Sequence, residues 1–268
     1  MFGGSLTQEQ VDGINAVIDA WETYGDNDNR KLAYALATAH HETGRRFTAV
    51  IENLNYTSAA RIRSVWPSRF KTEAAATPYV RQPQKLANKV YGGRLGNDGP
   101  DDGWLYRGRA LAQITGKDLY RRLSKLVGID LVANPDAALE IAIAAKILVV
   151  GLVQGLFTGK KLADYITPAK ADFKNARATV NADVKANGQK IADYAVAYLN
   201  ALATASPAAP TPKPPPAAET SAPKPTPIPT STLPPKPPTK VAPRGWAVIV
   251  AVLGPILYAI AKAFGWTP

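Results

Sequence analysis

Cysteine is absent from the 268 residues, so no disulfide can staple the chain and no thiolate can serve as nucleophile or metal ligand. Histidine is nearly as scarce, with His40 and His41 alone. A His-Glu-x-x-His zinc site built on His41-Glu42 would need a second histidine where Arg45 stands, so neither a metal nor another cofactor is expected. The alternating apolar and polar residues of half-buried strands are also scarce, which turns the reading toward helices. The opening residues, Met1 to Glu9, have neither a basic region nor an apolar run, and no secretory signal peptide is expected.

Composition divides what is present into three parts: 1–205 reads as an ordinary globular protein, 206–243 is dominated by proline, and 244–268 is almost wholly apolar. The first part is long enough to bury a core of its own. The second cannot bury enough apolar surface to fold, and its prolines favour an extended tether. The formal net charge is +11. Beyond Ala205, six basic residues stand against Glu219 alone, and the globular part carries the rest. Such an excess favours an acidic partner. No basic-aromatic run, helix-turn-helix signal or zinc finger accompanies it, so nucleic acid is not the expected partner.

Helical periodicity organises the first part. Thr7 and Gln10 form a capping-box pattern ahead of Val11, Ile14, Val17, Ile18 and Trp21, which share one face. A second helix is predicted from Asp28 or Asn29, with Leu32, Leu36 and Ala39 buried and Gly44 placed to stop it. Shorter helical pieces follow over 53–90, interrupted at Pro67, Pro78 and Pro83, and a glycine-rich loop spans 92–103. Helix or turn resumes from Ala110 to Leu126. The apolar run from Asn134-Pro135 to Leu156 contains Glu140 and Lys146, which favours a buried core helix over a membrane span. A last amphipathic stretch covers 172–203. The domain is therefore expected to be mainly α.

Two carboxyl groups are what most glycosidases need, one to protonate the leaving oxygen and one to activate water or attack the sugar. Glu42 and Glu52 are candidates. On an unbroken helix ten residues would part them by ~15 Å on different faces. A helix that ends at Gly44 instead lets 45–51 turn back and present Glu52 across a cleft, in the range of roughly 6.5–9.5 Å that suits an inverting hydrolase. Taken alone, the pair is more readily read as two exposed glutamates on a polar surface.

The run His41-Glu42-Thr43-Gly44 with Val50-Ile51-Glu52-Asn53-Leu54-Asn55-Tyr56 resembles the active-site region of family-19 glycoside hydrolases, closest to their phage endolysin branch. The resemblance continues through Val65 to Phe70, Ala87 to Asn97, Asp102 to Gly116 and Gly155 to Lys160, in the same order. It covers about residues 8–200 and none of the tail. It implies a two-lobed, lysozyme-like helical domain with substrate between the lobes. Glu42 matches the general acid, Glu52 the base, and Thr115 the hydroxyl that holds the attacking water. Tyr106 and Gln113 fall in the motif that contacts sugar, and Asn181 matches a further substrate contact. Arg107 and Arg109 are expected to brace the loop by pairing with carboxylates. Catalysis then asks for Glu42 against apolar surface and Glu52 in a wetter place. One departure is Ala110, which stands where the family carries glycine.

The implied activity is hydrolysis of peptidoglycan glycan strands by a monomer. A chitinase, a lytic transglycosylase and a wall-binding protein without catalysis are the alternatives. In the tail, Trp246 and Trp266 bracket an apolar run, as aromatics do at membrane interfaces, so a C-terminal helix in contact with a membrane is expected. The enzyme would then wait in the host cytoplasm or at the inner membrane and act in the periplasm at lysis.

Overall fold

A computed structural model of the chain describes residues 5–205; the proline-rich tether and the expected C-terminal helix lie outside the described residues. Helix α1 (Gln8–Tyr24) starts at the capping box, with Thr7 and Gln10 satisfying each other's backbone N–H groups. Its buried stripe is Ile14, Val17, Ile18 and Trp21, and Val11 in the first turn is only half-buried. Gly13 faces Phe47 so closely that a Cβ there would lie 2.0 Å from the Phe47 carbonyl oxygen.

Helix α2 (Asn29–Glu42) is capped by Asp28, whose carboxylate accepts the Arg30 N–H at 3.0 Å. Every residue from Leu32 to His40 is buried, a wider face than the predicted stripe. The reason is position: α2 lies among α1, α8 (Ile141–Gln154) and α9 (Val184–Ala205). Helix α8 is the apolar segment read as a core helix, and it is buried almost all round. Lys146 escapes that core by donating to the Val127 carbonyl at 2.8 Å. Among the described residues no helix is long and apolar enough to cross a membrane.

These helices, with α7 (Lys117–Val127), surround one large apolar core. Side chains as fully enclosed as Leu36, Ile14 and Leu148 contribute about 1.5–3 kcal/mol each relative to exposure. A second, separate core holds Leu54, Ile62, Phe70, Leu86, Ala87 and Val90. It is built by α3 (Ala59–Val65), α4 (Glu73–Ala76) and α5 (Pro83–Tyr91), with α6 (Asp102–Leu105) against α5. Pro83 starts α5 rather than interrupting a helix, since its fixed φ suits a first turn and its missing N–H costs nothing there. The domain is mainly α, with two cores.

The stretch 110–126 divides into turn and helix, as its reading allowed, and the predicted helical stretch 172–203 differs at its start. Residues 110–116 form no helix; they fold back so that Arg109 and Ile114 bridge as in an antiparallel pair. Ahead of α9, a two-stranded hairpin joins β1 (Ile166–Thr167) to β2 (Lys170–Ala171), and a 3-10 turn follows at Asn175–Thr179.

Candidate active site

Glu42 is the last residue of α2, and the turn after it is fixed by local hydrogen bonds. Thr43 gives its hydroxyl to the Ala39 carbonyl at 2.7 Å and accepts the Phe47 N–H at 2.9 Å. Gly44 (φ +58°) takes the left-handed conformation that glycine adopts at little cost, and Arg45 and Phe47 hold positive φ as well. The Phe47 ring is fully buried, so the large core holds the strained turn in place.

Beyond this turn the chain runs extended between the two cores. The Val50 N–H donates to Ala110 at 3.3 Å and the Glu52 N–H to Gly108 at 2.8 Å. Glu52 is half-buried. One carboxylate oxygen accepts the Tyr91 hydroxyl at 2.7 Å and the other the Gly108 N–H at 3.2 Å. Burial first, then the charge of Glu52, push the Tyr91 hydroxyl well above its ordinary range, so it stays a donor. Glycine at 108 leaves room for its neighbours: a Cβ would lie 2.1 Å from Gln113 Oε1 and 3.2 Å from Glu52 Cβ.

Glu42 has different company. Its Oε1 accepts from a guanidinium nitrogen of Arg177, whose side chain is 3% exposed against 17% for Glu42. The apolar bed expected for Glu42 is therefore corrected: a buried cation sits on it. Arg177 also grips Asp183 through a second nitrogen at 3.1 Å, and Asn187 donates to Asp183 at 2.6 Å. Burial opposes the Arg177 charge, but Asp183 and Glu42 outweigh it and raise the guanidinium's pKa. Among the described residues no hydrogen bond joins this network to that of Glu52. Neither is there a group of three or more His, Asp or Glu side chains that could hold a metal ion.

The remaining candidates divide. Gln113 (φ +46°) belongs with Glu52, donating to the Val50 carbonyl at 3.4 Å. Thr115 is half-buried, and its hydroxyl has a long 3.5 Å contact to the Gln113 carbonyl. Asn181 is exposed beside Arg177, its backbone N–H on the Arg177 carbonyl at 3.0 Å. Tyr106 is a correction: it is 5% exposed, packed on Tyr120, and its hydroxyl goes to Val132 at 3.2 Å, so it supports the loop from behind. Arg109 pairs with Asp136 as expected. Arg107 does not pair; its guanidinium lies 3.5 Å from the Trp104 ring centroid and donates to the Trp104 carbonyl at 2.7 Å.

Over 124 residues the chain is 40% identical to a glycosyl hydrolase family 19 domain-containing protein of Haemophilus influenzae, a match covering 45% of this chain and 61% of that protein. That likeness supports a place in family 19 of the glycoside hydrolases. The chain thus spans less than two thirds of that relative's length, and no family model matches it.

Backbone geometry accounts for alanine at position 110. Ala110 sits at φ +74°, a conformation that costs an L-residue roughly 1–2 kcal/mol. Its fully buried methyl returns about 0.8 kcal/mol, and alanine saves a further ~0.4–1 kcal/mol of chain entropy over glycine. The terms nearly cancel, which accounts for alanine being tolerated. Three residues of the site carried no signal of their own in the sequence: Tyr91, Asp183 and above all Arg177, 135 positions from the glutamate it holds. The concavity bordered by Arg121, Lys125, Ile129 and Val132 at the end of α7 includes neither glutamate and does not bear on this chemistry.

Proposed function

We propose that this chain hydrolyses glycan strands of bacterial peptidoglycan, as an endolysin does, with Glu42 as general acid and Glu52 as general base. The supporting observation is the pair of half-buried carboxylates on separate elements, each with its own donors. Glu52 keeps Tyr91 and Gly108 as donors, an arrangement that suits a carboxylate meant to accept a proton from water. Glu42 delivers its proton to the glycosidic oxygen as that bond breaks. Arg177 is then in place to stabilise the carboxylate left behind. The water loses its proton to Glu52 and attacks the anomeric carbon from the opposite face, giving inversion. Thr115, its hydroxyl only loosely held, orients that water. Gln113 and Asn181 contact sugar.

The apolar run between Trp246 and Trp266 is proposed to meet a membrane, which places the enzyme near its substrate at lysis. Digestion of purified peptidoglycan and of chitin, with the new ends identified by mass, tests the assignment. Glu42→Gln is expected to abolish cleavage with the fold intact, and an active variant refutes the role. A chitinase remains the second reading, because the relative's family name does not choose between these polymers.

A further inference from the structure

Charge is unevenly held in the described part of the chain. Between Asn53 and Asn97, the part of the smaller lobe ahead of α6, eight basic side chains stand against Glu73 alone, a net +7. The other residues up to Ala205 hold 18 basic and 19 acidic side chains, a net −1. That stretch carries all of the domain's positive excess, and Asp98, Asp101 and Asp102, which close the lobe at α6, bring the lobe as a whole to +4. Arg61, Arg63, Arg69 and Lys71 lie on α3 or just after it, Arg81, Lys85 and Lys89 on or beside α5, and Arg94 in the glycine-rich loop; all eight are exposed.

None of the eight enters an ion pair among the described residues. Elsewhere Arg30, Lys31, Arg109, Lys117, Arg121 and Arg177 all do. Like charges gathered on about 45 residues repel one another, and that cost is relieved when a polyanion binds. Two of the eight also lie towards the proposed base. Arg61 is near enough to Tyr56, and Arg94 to Tyr91, for each cation to act on the phenol, and both phenols feel the charge of Glu52. The lobe's rings are committed to its own packing, Tyr56 on Trp66 and Phe70 on Tyr79, and none is prominently exposed. Single-stranded nucleic acid would ask for exposed rings on which to stack.

We propose that the cationic face of the small lobe recognises carboxylates carried along a glycan strand, from its peptide or lactyl substituents, and so selects an acidic glycan over neutral chitin. This rests on the peptidoglycan reading above.

The test uses the full chain carrying Arg61→Gln, Arg69→Gln, Lys71→Gln and Lys89→Gln, exposed positions outside the catalytic networks. Retention on purified sacculi is measured by co-sedimentation in a Glu42→Gln background, at low and high salt. Sacculi whose carboxylates have been amidated, and duplex DNA, are the other two ligands. Cleavage is measured separately with Glu42 intact. At low salt the fourfold variant is expected to bind native sacculi about tenfold more weakly, with the difference vanishing at high salt and on amidated sacculi. Equal binding on native sacculi overturns the proposal, as does an equal loss on amidated ones. A loss confined to DNA overturns it in favour of nucleic acid. If the unsubstituted chain cleaves sacculi but the variant binds them normally, only the role of the lobe fails. If salt-sensitive retention is seen without any cleavage, the hydrolase reading fails and the cationic face stands.

Discussion

Arg177 is the residue on which the Glu42 side of the site depends. Its guanidinium is nearly enclosed and divided between Glu42 and Asp183. Breaking a buried pair by removing one partner costs far more than the pair contributes, because the remaining charge stays buried and unpaired. Arg177→Ala leaves two carboxylates without their shared cation, and a loss of about 3–5 kcal/mol is expected by urea denaturation. Arg177→Lys keeps the charge but not the planar fork, and should fall between the two. His40 gives a second residue-scale expectation. It is buried against Phe47, Tyr194 and Tyr198, its Nδ1 2.9 Å from the Tyr198 hydroxyl, and burial takes its pKa from 6.5 down to about 3. The unfolded chain therefore binds a proton at His40 below pH 6.5 that the folded chain refuses until about pH 3. Its contribution to stability is complete above that window and is lost as pH falls through it, at about 1.4 kcal/mol per pH unit. Denaturation at successive pH values should show that slope for the native chain and a shallower one for His40→Gln.

At the scale of elements, the segment from Gly108 to Gly116 does most to place the base. It pairs with residues 50–52, donates an N–H to Glu52 and carries Gln113. In Gly108→Ala the new methyl displaces the flexible end of Gln113 and presses on Glu52 Cβ. Stability should fall by only about 1 kcal/mol, since a side-chain tip can move, while hydrolysis should fall roughly tenfold or more because the base is misplaced. Unchanged activity would mean that Glu52 does not need this seat. The segment was also the least legible in the sequence. Helices α1, α2 and α8 announced themselves through caps, period and apolar run, because each buries a face whose pattern is local. The bridge between Arg109 and Ile114 has no such pattern: it rests on positive φ at Ala110 and Gln113, which non-glycine residues adopt only when the surroundings compel them. The turn after Glu42 was legible in Gly44. Arg177 was not, because a contact over 135 residues leaves no trace in spacing. Tyr106 was misplaced for a related reason: a tyrosine in a motif looks the same whether its ring faces sugar or the protein's own core.

At the scale of the whole chain, two questions separate that composition alone runs together: the cleavage proposed for the domain, and the route by which it would reach its substrate. Everything placed around Glu42 and Glu52 lies within residues 5–205, while the six basic residues beyond Ala205 and the apolar run after Arg244 lie outside the described residues. A basic, proline-rich tether followed by an apolar segment, bracketed by Trp246 and Trp266 and carrying Lys262 as its one charge, has the composition of a device for anionic membrane surfaces. If that is its role, the two activities come apart on truncation. A chain ending at Ala205 should hydrolyse purified sacculi within about twofold of the full chain at moderate salt, where the lost tail charges are largely screened. Added from outside to intact Gram-negative cells, it should lyse them far more slowly than the full chain, because the outer membrane now stands between enzyme and substrate. The turbidity of a cell suspension, followed beside dye release from sacculi, measures both. Equal lysis of intact cells by the two chains would remove the tail from any role at the membrane. A truncated chain that fails on sacculi as well would place the tail in service of the catalytic domain instead.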